Sequence, residues 1–303
     1  MPQKFRLKIA TASHILAKYK IHEAAELLGE VGYDAIEIWA TELEHQLKER
    51  MTSFAKIKTI LQKYGMTGTI HAPTTDYDTK ESFNLCSKNA KLRNKSLRKN
   101  LEAMDFADKL GFRVITIHPG HTDLPSEKAD KVYWQLQIDS FKKLAKKAEK
   151  LNLNLAIELM EKRVREFVIK PAALHKIIKA VHSKHVGVTF DLTHAFTHGI
   201  KKPIEYLEGS REHIFHAHMS GHSKKKTHVP FNMSIIPAAY LDKALKKLVQ
   251  HHAGWIAIEG NLEGIMKDTK ANEKKVVTEN LEYILRELKS LHLEPMEGDM
   301  DLW

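Results

Sequence analysis

The feature that most constrains the fold is a repeated phrase: an amphipathic helical stretch, a turn, then a short run of β-branched and aliphatic side chains. Eight such runs occur, at 7–12, 35–39, 68–71, 114–118, 155–158, 186–190, 214–218 and 255–259. Helical patterns lie between and after them, at 21–31, 53–64, 91–110, 133–151, 171–181, 240–251 and 273–291. Gly32, Gly65, Gly111 and Gly254 punctuate the chain just before a run, where a helix C-terminus needs a residue tolerant of positive φ. The runs start about 30 to 45 residues apart, the length of a strand–helix unit. Parallel strands need crossover helices, and eight units can close on themselves. The expectation is a single α/β domain, a (β/α)8 or TIM barrel over residues 1–292, followed by an acidic, aperiodic tail at 293–303. A doubly wound sheet is the alternative. Against it, no Gly-x-Gly-x-x-Gly follows the first run, and Gly29 and Gly32 end a helical pattern instead.

Composition narrows the class. The single cysteine, Cys86, excludes an intramolecular disulfide framework and any Cys-rich zinc module, which suits a reducing cytoplasm. No stretch reaches the roughly 18 to 20 apolar residues needed to cross a bilayer, and residues 1–5 lack a secretory apolar core. A cytoplasmic protein with no membrane partner is expected. The net charge of +10 favours anionic partners. Much of that charge, such as Lys142, Lys143, Lys146 and Lys147, falls on one helical pattern and reads as a solvated face.

In a barrel of this kind the site lies where the strands end. The third run ends in His71, the fourth in His118, the fifth in Glu158, and the sixth leads into Asp191 and His194. The seventh ends in His218, with His228 in the loop that follows, and the eighth ends in Glu259. One histidine at a strand end needs no function. Six of eight strands ending this way gather carboxylates and imidazoles into one mouth, where they require a compensating cation or ligand. Mixed nitrogen and oxygen donors suit zinc, manganese, cobalt or iron better than calcium. His216, two residues before His218, shares its face of the strand one layer deeper. His175, His182, His251 and His252 fall on helical patterns and read as surface residues. His14 and Trp39, just beyond the first two runs, are candidate substrate contacts. Lys224, Lys225 and Lys226, with Arg163 and Arg165, stand at the rim where a phosphate would meet them. The polar connection 74–89 is long enough to cover the mouth as a lid.

Asp191-Leu-Thr-His194-Ala-Phe, His118-Pro-Gly and His228 in the seventh loop resemble the xylose isomerase-like TIM barrels. That superfamily holds sugar isomerases and epimerases and the endonuclease IV family (AP endonuclease family 2). The resemblance covers roughly residues 8–290. It implies that Glu158, Asp191, His218 and Glu259 match the metal ligands of the ketose epimerase branch, with Glu158 and Glu259 also moving protons. His71, His118, His194 and His228 match further ligands of the nuclease branch, which holds three zinc ions. The nuclease branch places an Asp where this chain has Lys226, and an Asn-Thr-Ala-Gly continuation where this chain reads Leu-Met-Glu-Lys-Arg after Glu158. The Gly-x-Gly usual in both branches after the loop histidine is replaced by Val-Pro-Phe-Asn-Met.

The implied activity is a divalent-metal-dependent (Zn or Mn, one to three ions per chain) sugar or sugar-phosphate isomerase or epimerase working through an enediolate. His194 and Lys224 join His14 and Trp39 as substrate contacts. The alternative is a metal-dependent AP endonuclease with DNA as partner. A homo-oligomer is compatible with either.

Overall fold

The structure is a computed structural model and describes residues 3–5, 7–123, 130–251, 254–263, 265–267 and 269–295. In chain order the elements are β1 (Gln3–Phe5), β2 (Leu7–Ala12), α1 (Ile21–Val31), β3 (Ala35–Trp39), α2 (Ala40–Lys48), α3 (Phe54–Lys63), β4 (Thr67–His71), α4 (Ala90–Leu110), β5 (Val114–Ile117) and α5 (Lys131–Leu151). There follow β6 (Asn154–Glu158), α6 (Pro171–Val181), β7 (Val186–Asp191), α7 (Leu192–Phe196), α8 (Lys202–Ser210), β8 (Ile214–Met219), α9 (Ala238–His251), β9 (Gly254–Ile258), α10 (Lys270–Ser290) and β10 (Leu293–Pro295). Strands β2 to β9 are parallel and hydrogen-bonded in sequence order, and β9 returns to β2 to close the barrel.

Local chemistry sets the element ends. The side chains of Ser53, Asn89, Asp130 and Thr269 accept backbone N–H bonds at the starts of α3, α4, α5 and α10. Gly32, Gly65 and Gly111 take positive φ after α1, α3 and α4 as expected. Gly254 does not play that part; it is the first residue of β9. After α5 and α6 the left-handed position is held by Asn152 (φ 51) and His182 (φ 55), so His182 is a turn residue beyond its helix. His252 lies outside the described residues.

The first three residues of the expected 293–303 tail form a strand. Leu293–Pro295 pairs in parallel with Gln3–Phe5, tying the two ends of the described chain beside the barrel. Residues 296–303 lie outside the described residues.

Alternation along each strand builds the barrel in layers. Ile36 and Ile38 of β3 face the helices, while Ala35, Glu37 and Trp39 face inward. Inside the barrel, Ala10, Ala35, Val114, Ala156 and Ala257 cluster around Trp255, small residues leaving room for one indole. Interleaved with them is a polar set, Glu37, Thr69, Thr116, Thr189 and His216, each buried. Thr69 is paired with Glu37 across β3 and β4, and Thr189 with His216 across β7 and β8. The register then brings His71, Glu158, Asp191 and His218 to one height at the mouth. Phe112, Tyr133, Phe141 and, on β7, Phe190 are among the largest fully buried side chains, each contributing about 1.5–3 kcal/mol of apolar burial.

Candidate active site

The mouth opens into a cavity of ≈ 720 Å³ lined by His14, Trp39, His71, His118, Glu158, His194, His228 and Glu259, together with Glu161 and Glu166 and with the exposed Arg163, Arg165 and Asn261. This volume is in the range of small-molecule sites. The segment 73–85 forms one wall: Thr75 bridges Ser82, and Pro73, Thr74, Phe83 and Leu85 face the cavity. His228 reaches the mouth because Gly221 and Val229 pair in antiparallel fashion and His228 adopts a left-handed conformation (φ 55).

At the base, Glu158, Asp191, His218 and Glu259 each offer one donor atom, all within 4.8 Å of one another. His218 Nδ1 lies 3.1 Å from Glu158 Oε1, 3.6 Å from Glu259 Oε2 and 3.8 Å from Asp191 Oδ2. Ligands at about 2.0–2.1 Å from a tetrahedral centre stand about 3.3 Å apart, so these separations fit a shared cation. Two flanking groups reuse the same carboxylates: His71, His118 and Glu158, and Asp191, His194 and His228.

The imidazoles are held by hydrogen bonds on their far sides. His71 Nδ1 donates to the Ala72 carbonyl at 2.9 Å, and His194 Nδ1 to the Leu159 carbonyl at 2.8 Å. Each leaves Nε2 facing inward, toward Glu158 Oε2 for His71 and toward His228 Nε2, 3.1 Å away, for His194. Glu158 Oε2 is buried and lies 2.8 Å from His118 Nε2, while Asp191 Oδ2 is buried with no hydrogen bond reaching it among the described residues. Inward-facing ring nitrogens and buried carboxylate oxygens gathered this closely, one of them unpartnered, are a donor set that fits a divalent ion.

The electrostatics agree. Burial, with Glu158 and Asp191 close by, pushes the Glu259 carboxyl up to about 8 against the pull of His218. Burial alone would do the same to Glu158, but His118 and His218 hold it well below the usual carboxylate range. Burial opposes charge on His218, yet Glu259, Glu37 and Glu158 raise it well above the ordinary imidazole value. Asp191 is raised by burial and by Glu158. Burial, with His71 beside it, lowers His14 to about 3, leaving a neutral ring.

His14 and Trp39 form a wall: their rings are 4.4 Å apart, and Trp39 stacks on His71 at 4.4 Å with planes 12° apart. Lys224 does not line this cavity. It stands exposed on a neighbouring rim groove with Lys225, Lys226, His222 and Arg163. Lys226 donates to the Glu263 carbonyl rather than to the candidate metal ligands. Arg163 and Arg165 do line the mouth. His216 sits one layer below His218 and bonds Glu37. Glu37 escaped sequence reasoning. Its signal was a lone charge inside the apolar run 35–39, at the alternation that faces inward.

Residues 25–288 match the xylose isomerase-like TIM barrel family. The chain belongs to that family. Two proteins of Methanocaldococcus jannaschii, named uncharacterized proteins MJ1311 and MJ1188, are 25% and 26% identical to it over 67% of the chain. The match spans 65% of the first, just under two thirds of its length, and 73% of the second. Among solved structures, a D-tagatose 3-epimerase-like protein superposes with a TM-score of 0.71 at 22% identity, covering 93% of this chain and 99% of that one. An L-ribulose 3-epimerase gives 0.75 at 14% identity, covering 94% and 95%. The 3-keto-D-glucoside 4-epimerase YcjR from E. coli gives 0.70 at 16% identity, covering 92% and 99%. At these identities the likeness is one of fold. Among the described residues no helix is long and apolar enough to cross a membrane.

Proposed function

We propose that this family member is a divalent-metal-dependent isomerase or epimerase of a sugar or sugar phosphate. The observation that carries the proposal is the convergence of Glu158, Asp191, His218 and Glu259 donor atoms at the base of the cavity. The epimerases among the structural neighbours support it. A zinc or manganese ion held by these four residues would polarise a substrate carbonyl and make the adjacent C–H acidic.

The protein's own groups carry the rest. Glu158, at the end of β6, and Glu259, just after β9, enter from separate sides of the mouth. A carboxyl on each face of a planar enediolate can take a proton from one face and return one to the other. Trp39 and His14 pack against the sugar, and His194 Nε2 offers a polar contact to a hydroxyl. Arg163 and Arg165 at the rim would meet a phosphate if the substrate carries one.

The test is incubation of metal-replete protein with a panel of free and phosphorylated ketoses in D2O. Turnover should place deuterium on the carbon beside the carbonyl, and Glu158→Gln and Glu259→Gln should each lower kcat about 10²–10⁴-fold with the fold intact. Full activity in both variants would sink the assignment.

One observation favours a second reading, an AP endonuclease. The groups His71–His118–Glu158 and Asp191–His194–His228 beside the central four could seat further ions, and several ions can share the two sides of a phosphodiester displacement. It predicts cleavage of an abasic-site duplex with steep salt dependence. A lack of cleavage by metal-replete protein at low salt would remove it.

A further inference from the structure

Below the candidate metal ligands lies a buried carboxylate outside the cavity lining. Glu37 is fully enclosed, as are His216 and His218. It accepts from His216 Nε2 at 2.8 Å and from Thr69 Oγ1 at 3.1 Å. His218 Nε2 lies 3.2 Å from its Oε1 and 3.3 Å from its Oε2.

His218 therefore has its two ring nitrogens engaged on opposite sides. Nε2 faces Glu37, and Nδ1 faces Glu158, Glu259 and Asp191. When Nε2–H is given to Glu37, the lone pair of Nδ1 is the one presented to the three upper carboxylates. We propose that Glu37 is a positioning residue of the candidate metal centre, fixing the ring orientation and tautomer of His218 so that Nδ1 is its ligating atom. The proposal rests on the reading above that Glu158, Asp191, His218 and Glu259 hold a divalent ion.

Glu37 is itself held in place. Thr69 is its register partner on β4, and His216 lies two residues below His218 on β8. Both donate to Oε2, so the carboxylate cannot rotate without losing a hydrogen bond in a dry interior. The Glu37, His216 and His218 donor atoms are also close enough to seat an ion of their own. The 2.8 Å separation of His216 Nε2 from Glu37 Oε2 is instead that of a direct hydrogen bond. The deeper group is thus a support for the upper one.

The experiment is a competition titration of chelator-stripped protein with Zn²⁺ against a chromophoric chelator, for the parent chain and Glu37→Gln. The variant keeps the shape but not the charge. It should bind Zn²⁺ about 10- to 100-fold more weakly with unchanged stoichiometry. In the Zn²⁺-loaded parent the His218 Nε2–H proton should resonate far downfield and move upfield in the variant. A merely structural role for Glu37 would lower thermal stability and leave Zn²⁺ affinity alone, which would overturn the proposal while sparing the metal site. Loss of one ion per chain would overturn it too, making Glu37 a ligand. If the parent binds no divalent ion, the proposal and the site reading fall together. Should Glu37→Gln fail to fold, Thr69→Val retains the carboxylate and removes one of its donors. It should weaken Zn²⁺ binding severalfold, and unchanged affinity there would also overturn the proposal.

Discussion

Glu42, in the first turn of α2, stands behind the Trp39 wall. Ser13 Oγ donates to its Oε2 at 2.9 Å and accepts from the Trp39 N–H at 3.0 Å. Burial pushes this carboxyl from an ordinary 4.5 up to about 7, against the smaller opposing effect of the Ser13 hydrogen bond. The folded chain therefore holds this proton more tightly than the unfolded chain. Below pH 4.5 Glu42 is neutral in both states and costs nothing. From there to about pH 7 the unfolded chain gives up the proton more readily, so this group erodes stability as pH rises. A gap of about 2.5 pH units, at about 1.36 kcal/mol per unit, sets a ceiling near 3 kcal/mol, and partial access to water lowers it to about 2. Glu42→Gln keeps the shape and cannot ionise. It should match the parent within about 1 kcal/mol at pH 5 and exceed it by about 2 kcal/mol at pH 8. Urea unfolding followed by far-UV circular dichroism, with EDTA present to keep the candidate metal site empty, measures both. An identical difference at the two pH values would refute the reasoning.

Other outcomes follow from the same structure. A Cβ at Gly68 would stand 2.4 Å from the Ile36 carbonyl oxygen and 2.5 Å from the Phe112 ring, so Gly68→Ala should lose about 1–3 kcal/mol, read as a fall in Tm. Phe141→Ala empties a fully buried site and should cost about 3–5 kcal/mol in denaturant unfolding; a loss below 1 kcal/mol would mean the helix layer closes over the gap. Trp39→Ala removes the ring stacked on His71, and should raise KM at least about fivefold while the metal content of the purified protein, measured by elemental analysis, stays that of the parent. Adding Zn²⁺ or Mn²⁺ at about 100 times its Kd should stabilise the stripped protein by about 2.7 kcal/mol, visible as a rise in Tm that EDTA reverses; Tm independent of metal would count against the site.

The period of the apolar runs determined the barrel. A strand buried on both faces must be apolar and short, and a parallel neighbour requires a helix in between, so the chain could write its architecture locally. The ends of the runs also exposed His71, His118, Glu158, Asp191, His218 and Glu259, because a polar residue closing an apolar strand is visible without coordinates. Short α2, α7 and α8 were not legible, since nine residues or fewer carry little periodicity. The strand at Leu293–Pro295 was hidden for a different reason: its partner, Gln3–Phe5, lies at the other end of the chain. Only the tertiary structure decided which charges meet. The run 35–39 shows a glutamate, but that it lies under His218 and bonds His216 depends on the register of strands far apart in sequence. Proximity in sequence to His228 places the lysines of the seventh loop at the mouth. The hairpin between Gly221 and Val229 sends His228 inward and leaves Lys224 on the outer rim, because antiparallel pairing fixes where a loop tip points and sequence proximity does not.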